Sequence, residues 1–286
     1  MNSRVACVWV LCGFSACLAG APPEFSLEPK TRAISRSAYA DRLYGFWLGA
    51  CVANWTGLVT EMDKIGDTGE YQTGKFYTRA DWGAPDQPSI WSDEPSPLSA
   101  TIDFVFRDAD DVWGADDDTD LEYMYQHLLL TNRTSVLSPE QIRDGWLKHI
   151  RDQEENFLWV SNEHAFRLMQ QGVLPPQTSD PQRNPEHAMI DAQLTTEIFG
   201  LFAPTRPDVA LRMAELPIRT TARGEAAWIS EFYVIMHARA ALYDGRTSMD
   251  EHLRESAQVA RRHLPDESYA AKMYDYALEL YESELT

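Results

Sequence analysis

The chain has 286 residues, of which 44% are hydrophobic, 24% charged and 11% aromatic. This is the composition of a soluble globular protein, and it excludes intrinsic disorder over most of the length. Asp and Glu number 44 against 25 Lys and Arg, so the formal net charge is -19. Because so acidic a surface repels phosphate backbones, nucleic acid is excluded as a partner.

The N-terminal residues have the pattern of an export signal. The apolar run Val5–Ala16 follows Arg4 and is too short to span a bilayer, which predicts a signal peptide over residues 1–20. Phe14-Ser15-Ala16-Cys17 is similar to a bacterial lipobox, with Cys17 as the lipidated residue. Ordinary cleavage near Ala19-Gly20-Ala21 and an uncleaved apolar tail are the alternatives.

We favour the lipoprotein interpretation because Pro22 and Pro23 hinder ordinary cleavage. It predicts an exported protein, periplasmic or membrane-anchored, whose sole contact with the membrane is an N-terminal lipid. The proline-containing residues 21–36 are then a tether. We expect a monomer.

The remaining chain, residues 37–286, is predicted to be one all-α domain, a compact orthogonal helical bundle. Hydrophobic residues recur with helical spacing, and no stretch alternates with the period of a strand. The capping box Thr119-x-x-Glu122 predicts the start of the second helix. The predicted helices are Ser37–Trp55, Thr119–Leu130, one from Ser138, Ser161–Gln171, Ile190–Phe202, one from Pro207, Glu225–Tyr243, one from Ser248 and one from Tyr269.

Two helices carry distinctive stripes. Gly45, Gly49 and Ala53 lie on one side of the first helix, which predicts the close approach of another backbone. The last helix places Met273, Tyr276, Leu280 and Tyr281 on one side, and no residue that ends a helix follows it. We interpret this as a polypeptide that lacks a C-terminal part.

The chemistry is predicted to lie in an acidic cluster. Residues 62–113 read as a long ordered loop with Trp82, Trp91 and Trp113. Asp116, Asp117 and Asp118 follow it, directly before a helix start. Their mutual repulsion needs a cation or the helix N-terminus to offset it, and hard oxygen ligands suit Mg²⁺, Mn²⁺ or Ca²⁺. The alternative is a solvated acidic loop.

Several other kinds of site are excluded. An EF-hand is ruled out because aligning Gly114 with its sixth position places Trp113 at a ligand position. The sequence contains no nucleophile elbow, no His-Glu-x-x-His, no phosphate-binding loop and no Gly-x-Gly-x-x-Gly. Glu61 stands five residues after Thr56, and spacing alone does not separate a functional role from a solvent-exposed one.

A family resemblance supplies the missing context. The segment from Gly49 to Glu61, GACVANWTGLVTE, resembles the N-terminal signature of the ADP-ribosylglycohydrolase family, roughly G-x-x-x-G-D-x-x-G-x-x-x-E. Asp116-Asp117-Asp118-Thr119 resembles the first metal motif of that family, T-D-D-T. The resemblance covers most of residues 38–286 and is closest to a divergent, exported-type branch that shares a stretch like Met189–Glu197. It implies an all-α fold.

The resemblance also implies roles for single residues. Asp117 and Asp118 match the two metal-ligating Asp positions, and Asp116 stands where the family has a Thr ligand. Glu61 matches a position that serves as acid/base or substrate-orienting carboxylate. Asn54 stands where many members have Asp, which makes it a substrate-binding candidate.

One departure concerns the number of metals. The family has a second acidic motif near its C-terminus, D-x-D followed by Thr or an equivalent, which completes a two-metal site. No such motif follows residue 240. Either the polypeptide ends before it, or the protein holds at most one metal.

The resulting hypothesis is hydrolysis of an ADP-ribosyl or related ribosyl bond, with Mg²⁺ or alternatively Mn²⁺ as cofactor. The partner is then a small-molecule or ADP-ribosylated substrate. Asp191 and Glu197, near one predicted helix, are further substrate-binding candidates, as is Asn162. A non-catalytic lipoprotein that binds a nucleotide or sugar, and a carbohydrate-active glycosidase on a helical barrel, are the alternatives.

Overall fold

The computed structural model describes residues 34–64, 77–90, 92, 94–106, 110, 117–152, 154 and 156–284. In these residues the regular structure is helical, and the extended pairings are isolated bridges, so the all-α prediction is confirmed. The α-helices are α1 (Arg36–Gly57), α2 (Asp117–Asn132), α3 (Pro139–His149), α4 (Val160–Gln170), α5 (Asp191–Thr195), α6 (Ile198–Phe202), α7 (Pro207–Thr221), α8 (Glu225–Ala240), α9 (Met249–Arg261) and α10 (Tyr269–Glu284).

Local capping fixes several of these helix starts. Ser138 accepts a hydrogen bond from the Gln141 N–H at 3.2 Å, and the Gln141 side chain accepts one from the Ser138 N–H at 2.9 Å. Ser248 accepts from the Glu251 N–H at 3.1 Å. Each contact satisfies a backbone donor that the helix itself cannot pair. The starts predicted from Ser138 and Ser248 are therefore confirmed.

The single helix predicted over Ile190–Phe202 is wrong, because the structure has two short helices there. The Thr195 hydroxyl donates to the Asp191 carbonyl at 3.0 Å, and the Thr196 hydroxyl donates to the Ala192 carbonyl at 2.6 Å. Hydroxyls that bond back to carbonyls four residues earlier bend helices. The chain therefore breaks between α5 and α6, at the position of Glu197.

The predicted start of the second helix is also wrong, by two residues. Helix α2 begins at Asp117, so Thr119 lies inside its first turn and does not precede it. Carboxylates are favourable at the positive end of a helix, which lets the helix extend back into the acidic run. Glu122 is buried, with 3% of its surface exposed, and is not a surface cap.

The core forms around α7 and α8. Helix α8 packs against α5, α6, α7, α9 and α10, and α2 joins the core through contacts with α3 and α5. Tyr125 on α2 meets Phe199 on α6 edge to face, with ring centroids 5.5 Å apart. Ile142 and Trp146 on α3 and Ile150 directly after it are buried in this core, at 0%, 1% and 8% exposed.

Helix α1 lies across this core and buries none of its own residues completely. The Tyr39 hydroxyl donates to the Leu201 carbonyl at 2.7 Å, and the Arg42 guanidinium donates to the carbonyls of Ala240 and Tyr243. Phe46 and Trp47 pack against the core on the same side. These contacts fix the direction in which the C-terminal end of α1 leaves the core.

Two predicted helix faces behave differently in the structure. A Cβ built on Gly45 or Gly49 meets no described atom within 4 Å, so the predicted close backbone approach is wrong for this part of the chain. On α10, Met273, Tyr276, Leu280 and Tyr281 are each at least 45% exposed.

Among the described helices, none has both the length and the apolar character needed to cross a bilayer.

Candidate active site

A cleft of about 740 Å³ opens where the end of α1, the start of α2 and the α5–α6 break meet. Its lining comes from the last turns of α1, the segment after α1, the first turns of α2, and α5. Phe157 and Trp159 also line it. The polar residues that line it are Asn54, Thr60, Glu61, Asp118, Thr119, Glu122, Asp191 and Glu197.

Five of the predicted site residues thus lie in one cleft, although up to 143 positions separate them: Asn54, Glu61, Asp118, Asp191 and Glu197. Asn162 does not line the cleft. It is fully buried, and its backbone N–H donates to Asp191 Oδ1 at 2.8 Å. Asp117 is the first residue of α2. Asp116 and the side chain of Asp117 lie outside the described part of the chain. The roles of all eight residues stay predictions.

Glu61 is held by a sharp turn beyond the end of α1. Val59, which is 1% exposed, fixes the turn to the interior. Met62 has a φ of 59°, a left-handed conformation that is uncommon outside glycine. The Met62 carbonyl accepts from the Ile90 N–H at 2.8 Å, and the Lys64 N–H donates to the Pro88 carbonyl at 2.8 Å. The loop at residues 85–90 therefore braces the turn that presents Glu61.

A buried acidic cluster lies directly behind this turn. Asp63 and Asp86 are each 7% exposed, and the Tyr77 hydroxyl donates to Asp63 Oδ2 at 2.5 Å. Burial and the neighbouring Asp86 carboxylate raise the pKa of Asp63 to about 6, although the Tyr77 hydrogen bond lowers it. Burial, followed by the contact with Asp63, raises the pKa of Tyr77 to about 12. This environment thus favours the protonated form of Asp63.

Asp191 links the cleft to the start of α4. Trp159 precedes that helix and gives it no side-chain cap. Asp191, which is 1% exposed, instead accepts from the N–H of Asn162 in the first turn of α4. A carboxylate at this position satisfies a backbone donor and faces the positive end of the helix dipole. Asp191 therefore has a structural role in addition to its place in the cleft.

The sequence interpretation missed three residues of this cleft. Glu122 lies one helical turn after Asp118, so both face the cleft, and the capping-box interpretation had assigned Glu122 to the helix end. Phe157 and Trp159 also line the cleft, and they are 67% and 42% exposed. Nothing in their local sequence distinguishes them from core aromatics. Their exposure beside acidic residues is what marks them.

The cleft has a single sign of charge. Of the residues described in its lining, five are Asp or Glu and none is Lys, Arg or His. Such a donor set fits a hard cation such as Mg²⁺, which prefers oxygen ligands. Within the described residues no three Asp, Glu, His or Cys side chains already form a metal-binding group.

An all-α domain with a carboxylate-lined cleft at a helix entrance defines a class of fold and site that comparison with known proteins can test. The family model described as ADP-ribosylglycohydrolase matches residues 35–285. The chain therefore belongs to the ADP-ribosylglycohydrolase family, and the resemblance inferred from the two motifs is confirmed. Membership indicates a glycohydrolase-type function. Comparison with curated proteins and with solved structures gives no match.

Proposed function

We propose that this protein hydrolyses the glycosidic bond of an ADP-ribosyl or related ribosyl substrate, with Glu61 as acid/base. The observation that carries the proposal is the convergence of five carboxylates, and no described cationic side chain, on one cleft. Cleavage at an anomeric carbon develops positive charge on the sugar ring, and carboxylates nearby stabilise that charge. The cleft volume of about 740 Å³ lies in the range of small-molecule sites.

Each lining group has a task in this reaction. Glu61 is exposed at the cleft, where its carboxyl group can pass a proton to the leaving group or take one from water. The Asn54 amide can bond a sugar hydroxyl. The exposed rings of Phe157 and Trp159 offer apolar faces for the sugar or for a planar group attached to it.

Asp116, Asp117 and Asp118 are the residues that would hold Mg²⁺, or Mn²⁺ in its place. Bound there, the ion supplies Lewis-acid polarisation and orients ribose hydroxyls and water. Calorimetric titration of Mg²⁺ into the wild type and into an Asp117→Ala, Asp118→Ala double variant tests this assignment. We expect binding heat in the wild type alone, and equal heats in both proteins contradict it.

The role of Glu61 is tested by replacing it with Gln, assayed with Mg²⁺ against a panel of ADP-ribosylated and ribosylated compounds. We expect kcat to fall about 100-fold or more, with KM and melting temperature unchanged, because general acid/base catalysis contributes about 10²–10⁴. Glu279→Gln, an exposed change on α10, is the matched control. Full activity of Glu61→Gln would assign the acid/base role to another residue.

A non-catalytic role in binding a nucleotide or sugar is the second candidate. It is favoured by Asn54, which stands where many members of the family have Asp. The same panel separates the two. Binding of ADP-ribose by the wild type with no turnover of any compound, with Mg²⁺ or Mn²⁺ present, supports the binding role. Export, lipid attachment and a monomeric state stay predictions.

A further inference from the structure

A second cleft, of about 410 Å³, lies beside α2 and contains a pair of histidines. His127 is on α2 and His149 is the last residue of α3, and their ring centroids are 5.0 Å apart with the planes at 77°. Asp120 and Asn156 form its polar edge, and Asn156 Nδ2 donates to Asp120 Oδ2 at 2.8 Å. This cleft shares no lining residue with the one that contains Glu61.

The two imidazoles differ from other histidines of the chain. His164, His187 and His263 each place a ring nitrogen within 3.1 Å of an oxygen of another residue. Neither His127 nor His149 has a ring hydrogen bond to the described residues. Their nitrogens are therefore not committed to holding the fold together.

We propose that His127 and His149 chelate one borderline transition-metal ion, of which Zn²⁺ and Cu²⁺ are the representatives. Imidazole nitrogens bind Zn²⁺ at about 2.0–2.1 Å, and at a tetrahedral angle this places the centroids of two ligating rings about 5 Å apart. The observed separation matches that value.

The local charges favour such a cation. Burial lowers the pKa of His149, and the nearby His127 and Lys148 lower it further, which favours the neutral form of the ring that binds metal ions. Asp120 adds a negative charge to the same cleft. Two imidazole nitrogens select ions of the Zn²⁺ and Cu²⁺ type, whereas the all-oxygen cleft at Glu61 suits Mg²⁺.

The experiment is calorimetric titration of Zn²⁺, in buffer with excess Mg²⁺, into the full chain and its variants. We expect one Zn²⁺ site in the wild type, with affinity reduced at least tenfold by His127→Gln or His149→Gln. His164→Gln, which alters a different partly exposed histidine, is the control and should bind as the wild type does. Cu²⁺ should displace Zn²⁺ from this site because it lies higher in the affinity order.

An Asp117→Ala, Asp118→Ala variant separates this site from the acidic one, and it should keep its Zn²⁺ binding. Circular dichroism of each variant shows whether it has folded. No Zn²⁺ binding in the wild type, wild-type affinity in both histidine variants, or loss confined to the aspartate variant would each overturn the proposal. The two rings would then make an aromatic contact only. None of these results bears on the acid/base role of Glu61.

Discussion

At the scale of single residues, Asp191 shows how a candidate site residue can also support the fold. Its carboxylate caps α4 from a different part of the chain, 29 positions away from the Asn162 N–H that it accepts. Local sequence around α4 contains no sign of this cap, since Trp159 stands at the usual capping position. Loss of activity on changing Asp191 would therefore not by itself assign it to catalysis.

We expect Asp191→Ala to lower the free energy of unfolding by about 1–3 kcal/mol, because a buried donor at a helix start loses its charged partner. Asp191→Asn keeps an acceptor oxygen and should lose less. Urea unfolding monitored by circular dichroism measures both. If Asp191→Ala is as stable as the wild type, the carboxylate does not cap α4.

The Asp63–Asp86 pair makes a residue-scale prediction about pH. The pKa of Asp63 is raised in the folded protein to about 6, from an ordinary value of 3.8. The folded state therefore holds this proton more tightly than the unfolded chain does. The associated stabilisation is fully present below about pH 4 and is lost as the pH rises through about 6.

Asp63→Asn mimics the protonated carboxyl group and should remove this contribution to the pH dependence. The difference in unfolding free energy between Asp63→Asn and the wild type should change by up to about 3 kcal/mol between pH 4 and pH 7, in favour of the variant at pH 7. Urea unfolding at four pH values gives the curve. Asp41→Asn, an exposed change on α1, is the control. Its unfolding free energy should differ from that of the wild type by the same amount at every pH. Parallel curves for Asp63→Asn and the wild type would contradict the raised pKa of Asp63.

At the scale of helices, two glycines mark where elements approach closely. A Cβ on Gly200 would lie 2.5 Å from the Val234 carbonyl oxygen and 2.6 Å from the Ala238 nitrogen, so α6 rests on the backbone of α8. A Cβ on Gly145 would meet the end of the Leu128 side chain, where α3 crosses α2. Backbone atoms cannot yield locally, whereas a leucine can change rotamer.

Gly200→Ala should therefore destabilise the protein by about 3 kcal/mol or more, because overpacking against a fixed backbone moves a whole helix. Gly145→Ala should cost less, about 1 kcal/mol, since alanine also gains helix propensity there. Thermal and urea unfolding of the matched pair measure the difference. A larger loss for Gly145→Ala than for Gly200→Ala would contradict the packing assigned to α6 and α8.

At the scale of the whole molecule, the net charge of -19 opposes the compact state. Individual ion pairs offset little of this repulsion, because most of those described have an exposed partner; Arg239–Glu255 and Arg261–Asp266 are examples. The Arg219–Glu231–His263 contacts are the more enclosed ones and join α7 and α8 to the chain after α9.

The excess negative charge predicts that salt stabilises the protein. Raising NaCl from about 10 mM to about 150 mM at pH 7 shortens the screening length from about 30 Å to about 8 Å. We expect the melting temperature to rise by a few °C as a result. Near the isoelectric point of about 4.7 the same addition should have little effect, which provides the control within one protein. Calorimetric scans that show no salt dependence at pH 7 would contradict the repulsion.

Local signals were sufficient for the fold class and for several helix starts. Helical periodicity and caps such as Ser138 and Ser248 involve residues within one or two helical turns. The sequence pattern alone can therefore predict them.

The composition of the cleft was decided by tertiary structure. Glu61, Asp118 and Glu197 come together only when α1, α2 and the α5–α6 break pack on the core. The break between α5 and α6 depends on threonine hydroxyls that donate hydrogen bonds to backbone carbonyls. The burial of Glu122 depends on how α2 packs in the folded protein. Apolar burial and steric fit act between residues distant in sequence, and these interactions have no local pattern from which to predict them.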